Sequence, residues 1–433
     1  MAIDPHAKSL LIQETRALAA RLALVKSFAL QESMTPAAAL LPDAQTAIEK
    51  YLVAGRRTLR RLLQGFLQWL HQPAPDTVTA EQAQRQFSIL RLKFNAVLIQ
   101  FDIFSDVITQ RSETETGVWL AGLDVVARDA LALPPYYEPP PVICYLDRDI
   151  GAAIRRARTR MPGGGENPVA VIRVPRERMV GSGIASSLVH EVGHQAAALL
   201  SLVESLRPVL QELQRTDEPG REAWRLWGRW ISEIVADFWS VARVGIASTL
   251  GLMGVVSLPR VFVFRLNGDD PHPIPWIRVK LSAAVGAALY PHPQWQRLSA
   301  TWEAFYPPTG LAAETQRLVS LLLATMPRFV ALLIGHRPKS LRGRTLGEVM
   351  NTGERQPARL AALYQRWLED PAQMYQAAPA LVFAAIGQAR IDGLINPETE
   401  SALLAKLLTH WALRATVNMS ELCAGVPARR AAA

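Results

Sequence analysis

The stretch "IASSLVHEVGHQAAALL", Ile184 to Leu200, decides how the chain is read. It is apolar, free of proline and rich in alanine and leucine, the texture of a buried helix. His190 and His194 stand at i and i+4 within it. That spacing sets both imidazoles on one helical face, where they can meet a single ion. Glu191 projects about 100° round the helix, beside such an ion and not on it, where it can take a proton from water. Gly193 costs up to about 1 kcal/mol of helix stability against alanine, so something approaches the helix closely there. The plain alternative is two satisfied histidines in a core helix, and the rest of the chain has to choose.

A catalytic zinc needs three protein ligands and one open position. The metzincin spacing would require glycine at 197 and histidine at 200; the chain has Ala197 and Leu200, which excludes it. A later carboxylate is the other solution, and "RWISEIVADFWSV" (Arg229–Val241) supplies one. Glu233 and Asp237 again share a helical face. Glu233 would bind the metal, and Asp237 would accept the second ring N–H of a ligand histidine, His190, fixing its tautomer and raising its basicity. An exposed acidic stripe is the alternative, but Ile231, Ile234, Val235, Phe238 and Trp239 surround the pair, where unpaired carboxylates are costly to bury. Glu204 and Glu212 compete as third ligand, but neither has an acidic i+4 partner in an apolar helix.

H-E-x-x-H followed by a helical E-x-x-x-D resembles the gluzincin zinc metallopeptidases, the thermolysin-like superfamily. "DDPHPIPWIRV" (Asp269–Val279) is similar to the HP…R segment that follows the glutamate helix in HtpX-like and CAAX-prenyl-type peptidases. The resemblance covers residues 169 to 280. It implies one catalytic Zn²⁺ on His190, His194 and Glu233, with Glu191 as general base. It also implies that His272 hydrogen-bonds the oxyanion and that Arg278 orients the ligand glutamate or that histidine. The expected activity is peptide-bond hydrolysis, with a peptide or protein as substrate. The chain departs from the membrane-embedded members: its two apolar stretches are Gly245–Pro259, which is short, and Leu318–Gly335, which Pro327 and Arg328 interrupt.

Working outward, the proline cluster "LPPYYEPPP" (Leu133–Pro141) marks a boundary. Residues 1–132 read as an N-terminal helical region, 133–335 as a zincin-like unit and 336–433 as a C-terminal helical region. "VICYLD" (Val142–Asp147) reads as a strand, Arg148–Met161 as a helix, "PGGGENP" as a turn and "VAVIRV" (Val169–Val174) as a second strand. A strand just before the histidine helix suits an edge that hydrogen-bonds an extended peptide. The segment Arg260–Trp276 reads as extended, and Asn396-Pro397-Glu398 as the start of a last helix after a turn. Trp224, Trp227 and Trp230 recur every third residue before Glu233, as a substrate wall or as helix packing. The expected fold is α+β, mainly α: a zincin-like catalytic unit with a small β-sheet and an active-site helix, flanked by helices.

The 433 residues carry a net charge of +9, and two cysteines provide no disulfide framework. The charge admits a nucleic-acid or anionic-surface partner, and equally reflects the composition of a GC-rich genome. No zinc-finger spacing or RNP-type aromatic pattern supports nucleic acid. A structural or interaction protein that retains a zinc site is the other rival, although such a brace needs no base beside its ligands. With no leader-like amino terminus, a cytoplasmic location is expected.

Overall fold

A computed structural model describes residues 3–26, 28, 34–71, 78–147, 152–162, 164–176, 181–266, 268 and 270–423. Three long helices come first: α1 (Pro5–Leu24), α2 (Pro42–His71) and α3 (Ala80–Thr109). Asp4 caps α1 ahead of Pro5, and Thr79 with Gln82 forms a capping box on α3, so both starts are written locally. Leu18, Leu59, Leu63, Phe87 and Phe94 join their apolar stripes, while Arg57, Arg60 and Arg61 face out. Helix α4 (Thr114–Leu131) then leads into the sheet.

The sheet has three strands in the order β1-β3-β2: β1 (Val142–Asp147), β2 (Ala153–Arg155) and β3 (Ala170–Pro175). β1 and β3 are parallel, in register from Val142 opposite Ala170, and β2 runs antiparallel to β3 with Ile154 opposite Ile172. Two expectations are corrected here. The stretch expected as a helix over Arg148–Met161 contains β2, because pairing with β3 overrides the helical preference of its alanines and arginines. "VAVIRV" is therefore the central strand and not an edge. The outer edge of β1 is capped by side chains. Gln110 exchanges two hydrogen bonds with Leu146, while Asp124 accepts from the Cys144 N–H and Arg111 donates to the Cys144 carbonyl. Arg111 and Asp124 pair at 3.1 Å, both fully buried. That edge is closed to a further strand.

Below the sheet lie α5 (Ser182–Leu199), α6 (Leu202–Thr216), α7 (Arg221–Val244) and α8 (Ile246–Val256). α7 lies antiparallel to α5: Gly193 faces Ala236, and the Ser240 hydroxyl reaches the Ala185 carbonyl. The segment expected as extended holds a short helix, α9 (Arg260–Val263), before α10 (Pro275–Leu289) and α11 (Gln294–Phe305). Helix α12 (Ala313–Gly335) runs unbroken through Pro327. Pro327 is exposed, and buried Met326, Phe329 and Val330 hold the turns on either side of it. By length and composition α12 is the one helix among the described residues able to cross a membrane, and 44% of its apolar window is buried in the fold.

The chain ends in α13 (Pro357–Glu369), α14 (Pro371–Gln376), α15 (Pro379–Ile391) and α16 (Pro397–Cys423). Gly393, at φ 71°, turns α15 into α16, which Asn396 caps through the Thr399 N–H. α16 lies so close to α4 that a Cβ on Gly122 would sit 2.3 Å from the Leu408 carbonyl oxygen. It also returns to α5, where the Glu400 carboxylate, buried with only 4% exposure, accepts from the Ser182 hydroxyl. One continuous core runs from Leu120 on α4 to Trp411 on α16, with α5 and α7 inside it.

Candidate metal centre

Helices α5 and α7 bring three side chains to one point. The Glu233 Oε2 atom lies 3.2 Å from His190 Nε2 and 3.4 Å from His194 Nε2. The two imidazole rings stand nearly perpendicular, with centroids 4.9 Å apart. Gly193 makes this convergence possible. A Cβ there would meet Ala236 Cα and its carbonyl oxygen at 2.8 Å each, so glycine alone lets the backbone of α7 come in. Gly193→Ala is expected to lower stability by about 1–3 kcal/mol through overpacking, outweighing the roughly 1 kcal/mol alanine returns in helix propensity. Thermal unfolding checks it: a variant as stable as the parent would contradict this close packing.

The layer behind is equally specific. His190 Nδ1 lies 2.7 Å from Asp237 Oδ1, so the ring donates Nδ1–H and turns its Nε2 edge toward Glu233. Asp237 is gripped in turn by Arg278, through Nε at 2.6 Å and a terminal nitrogen at 2.8 Å. Burial alone would depress the His190 imidazole, but the Asp237 carboxylate, its hydrogen bond and Glu233 push it up to about 9. Burial alone would raise Asp237, yet Arg278 and His190 hold it well below the usual carboxylate range. The same opposition acts on Glu233, which His190, His194 and His272 hold far down. The site is thus a buried field that favours positive charge at His190.

His272 comes to the same carboxylate, its Nε2 3.1 Å from Glu233 Oε2, although it is not part of the mutual His190–His194–Glu233 grouping. Its Nδ1 lies 2.6 Å from Asp270 Oδ1, and that oxygen also accepts the His272 backbone N–H at 2.9 Å. Burial would lower the His272 pKa, but Glu233 and Asp270 raise it. Glu191 is buried, and among the described residues its carboxylate makes no hydrogen bond. Its charge acts on the buried Arg278, which places it near the same cluster.

Whether these residues fit a metal can be asked of Glu233 itself. Three imidazole nitrogens crowd its Oε2, yet none is aligned as a hydrogen bond, and the buried atom has no such partner. The two imidazoles of the grouping lie 3.2 and 3.4 Å from it, while ligands on a tetrahedron with bonds of about 2.0–2.1 Å are separated by about 3.3 Å. Two imidazoles and a carboxylate are also a donor set that zinc accepts. The residues fit the ion.

No known protein family, curated protein or solved structure matches this chain. The site therefore rests on its own geometry. Of the residues singled out from sequence, His190, His194, Glu233, Asp237, His272 and Arg278 come together, with Glu191 beside them. Arg278 differs from the role the resemblance implied: its short hydrogen bonds go to Asp237, with a terminal nitrogen also 3.5 Å from His190 Nδ1, and not to Glu233 or His272. Glu204 and Glu212 stay on the exposed face of α6, Glu212 paired with Arg215. Trp224, Trp227 and Trp230 are packing residues, fully buried, with Trp227 stacked on Phe329 at 4.7 Å. Asp270 was missed, though an aspartate two residues before a histidine is a turn signal that could have found it. Gln195 was missed as well: it ties α5 to the end of β2 by accepting the Ala157 N–H at 2.8 Å.

Proposed function

We propose that the chain is a zinc-dependent metalloendopeptidase of gluzincin type. The observation that carries this reading is the convergence of His190, His194 and Glu233 on one point, with the buried Glu233 Oε2 left without a hydrogen bond. These three residues would hold one Zn²⁺. Bound there, zinc supplies Lewis acidity toward a carbonyl and lowers the pKa of water toward about 7.

The chain's own residues do the rest. Glu191, free of hydrogen bonds among the described residues, takes the water proton and later delivers it to the leaving amine. Asp270 holds the His272 ring at Nδ1, and His272 Nε2, when protonated, would present an N–H to the developing oxyanion. Asp237 fixes the His190 tautomer, and Arg278 fixes Asp237. An extended substrate has the outer edge of β2 available, next to α5, since side chains occupy the outer edge of β1.

Chelation tests the reading. The purified chain is expected to hold about one zinc, to cleave an unfolded protein such as casein, to lose that activity with phenanthroline and to regain it with one equivalent of zinc. Cleavage indifferent to the chelator, or a protein that takes up no zinc, would end it.

A further inference from the structure

We infer that the segment Leu258–Leu266 is a docking surface for anionic lipid bilayers. Its large apolar side chains stand in solvent: Val261 is 69% exposed, Phe262 47%, Leu258 44% and Leu266 43%. Phe305, 65% exposed, joins them, because its neighbour Tyr306 hydrogen-bonds the Leu258 carbonyl at 3.0 Å. The base of the segment is nailed down, which keeps the tip from folding back. Val263 and Phe264 are buried, and Phe264 stacks on Trp276 with centroids 5.7 Å apart. Arg260 lies over the Phe264 ring and donates to the carbonyls of Pro307 and Thr309.

The segment Leu258–Leu266 itself carries two arginines, Arg260 and Arg265, and no acid. Arg265 makes no ion pair among the described residues, where Glu303 is engaged by Lys280 at 2.9 Å and Asp270 by His272. Apolar side chains on a short helix with arginines at its flanks match the boundary between headgroups and acyl chains of an anionic membrane. A protein partner fits less well. Five half-exposed side chains offer on the order of 400–500 Å², under the roughly 800 Å² a side that a stable dimer buries. Patches of this size on a monomer are often functional.

The inference stands apart from peptidase activity and is tested by binding alone. The full chain would be floated with phosphatidylcholine vesicles, with and without phosphatidylglycerol, at low and high salt. It should rise with the phosphatidylglycerol vesicles and be released by salt. The double variant Val261→Asp, Phe262→Asp should bind at least about tenfold more weakly, and Arg265→Glu at least about fivefold more weakly. Unchanged melting of the variants secures the comparison, and if the double variant fails to fold, Phe262→Ser and Arg265→Glu carry the test. A parent chain that ignores both vesicle types, or variants that bind like the parent, would overturn it. So would a dimer that the double variant dissolves without any vesicle binding, which would assign the patch to self-association.

Discussion

Glu191→Gln is expected to keep its zinc and to lose about 10²–10⁴-fold or more in peptidase rate. The two halves of that result come from different atoms. The ion would be held by His190, His194 and Glu233, none of which hydrogen-bonds Glu191, so its amide leaves the ligands in place. Proton transfer needs the carboxylate, and an amide of the same shape cannot accept and return a proton near neutral pH. Metal analysis and single-turnover cleavage, run on one preparation, separate the effects. Cleavage at the parental rate would remove Glu191 from the mechanism. Zinc lost together with activity would instead make it a structural residue of the site.

Glu233→Ala should abolish stoichiometric zinc, and activity with it. Glu233 is the point where both imidazole nitrogens meet, and no other acid joins that grouping among the described residues. Asp237→Asn provides the graded comparison. It weakens the hold on the His190 tautomer without removing a ligand, so zinc affinity should fall about 10–100-fold, well short of the loss at Glu233. Competition against a chelator of known affinity reads both. Equal losses in the two variants would show that the order of shells is wrong; a Glu233→Ala protein that still holds one zinc would remove the carboxylate from the ligand set.

The legible parts of this site share a cause. His190, His194, Glu233 and Asp237 stood out because helical spacing aligned them and because acids among isoleucine, valine, phenylalanine and tryptophan demand partners. The mainly helical fold with a small sheet followed from the same periodicities. What escaped was decided at long range. Ala153-Ile154-Arg155 is a strand only because β3 lies beside it, a pairing that no local propensity contains. The grip of Arg278 on Asp237 crosses 41 residues, and the approach of Leu408 to Gly122 joins distant helices. Gly193 lay between these cases: its cost announced a close neighbour, and only the fold identified Ala236.

Glu400 meets Ser182 from 218 positions further along the polypeptide. During synthesis the histidine-bearing helix leaves the ribosome long before the segment that seals its first turn. Contacts of such separation slow closure. Until α16 is made, the apolar flank of α4 remains uncovered, an interval of aggregation risk for the nascent chain in which a chaperone has surface to hold.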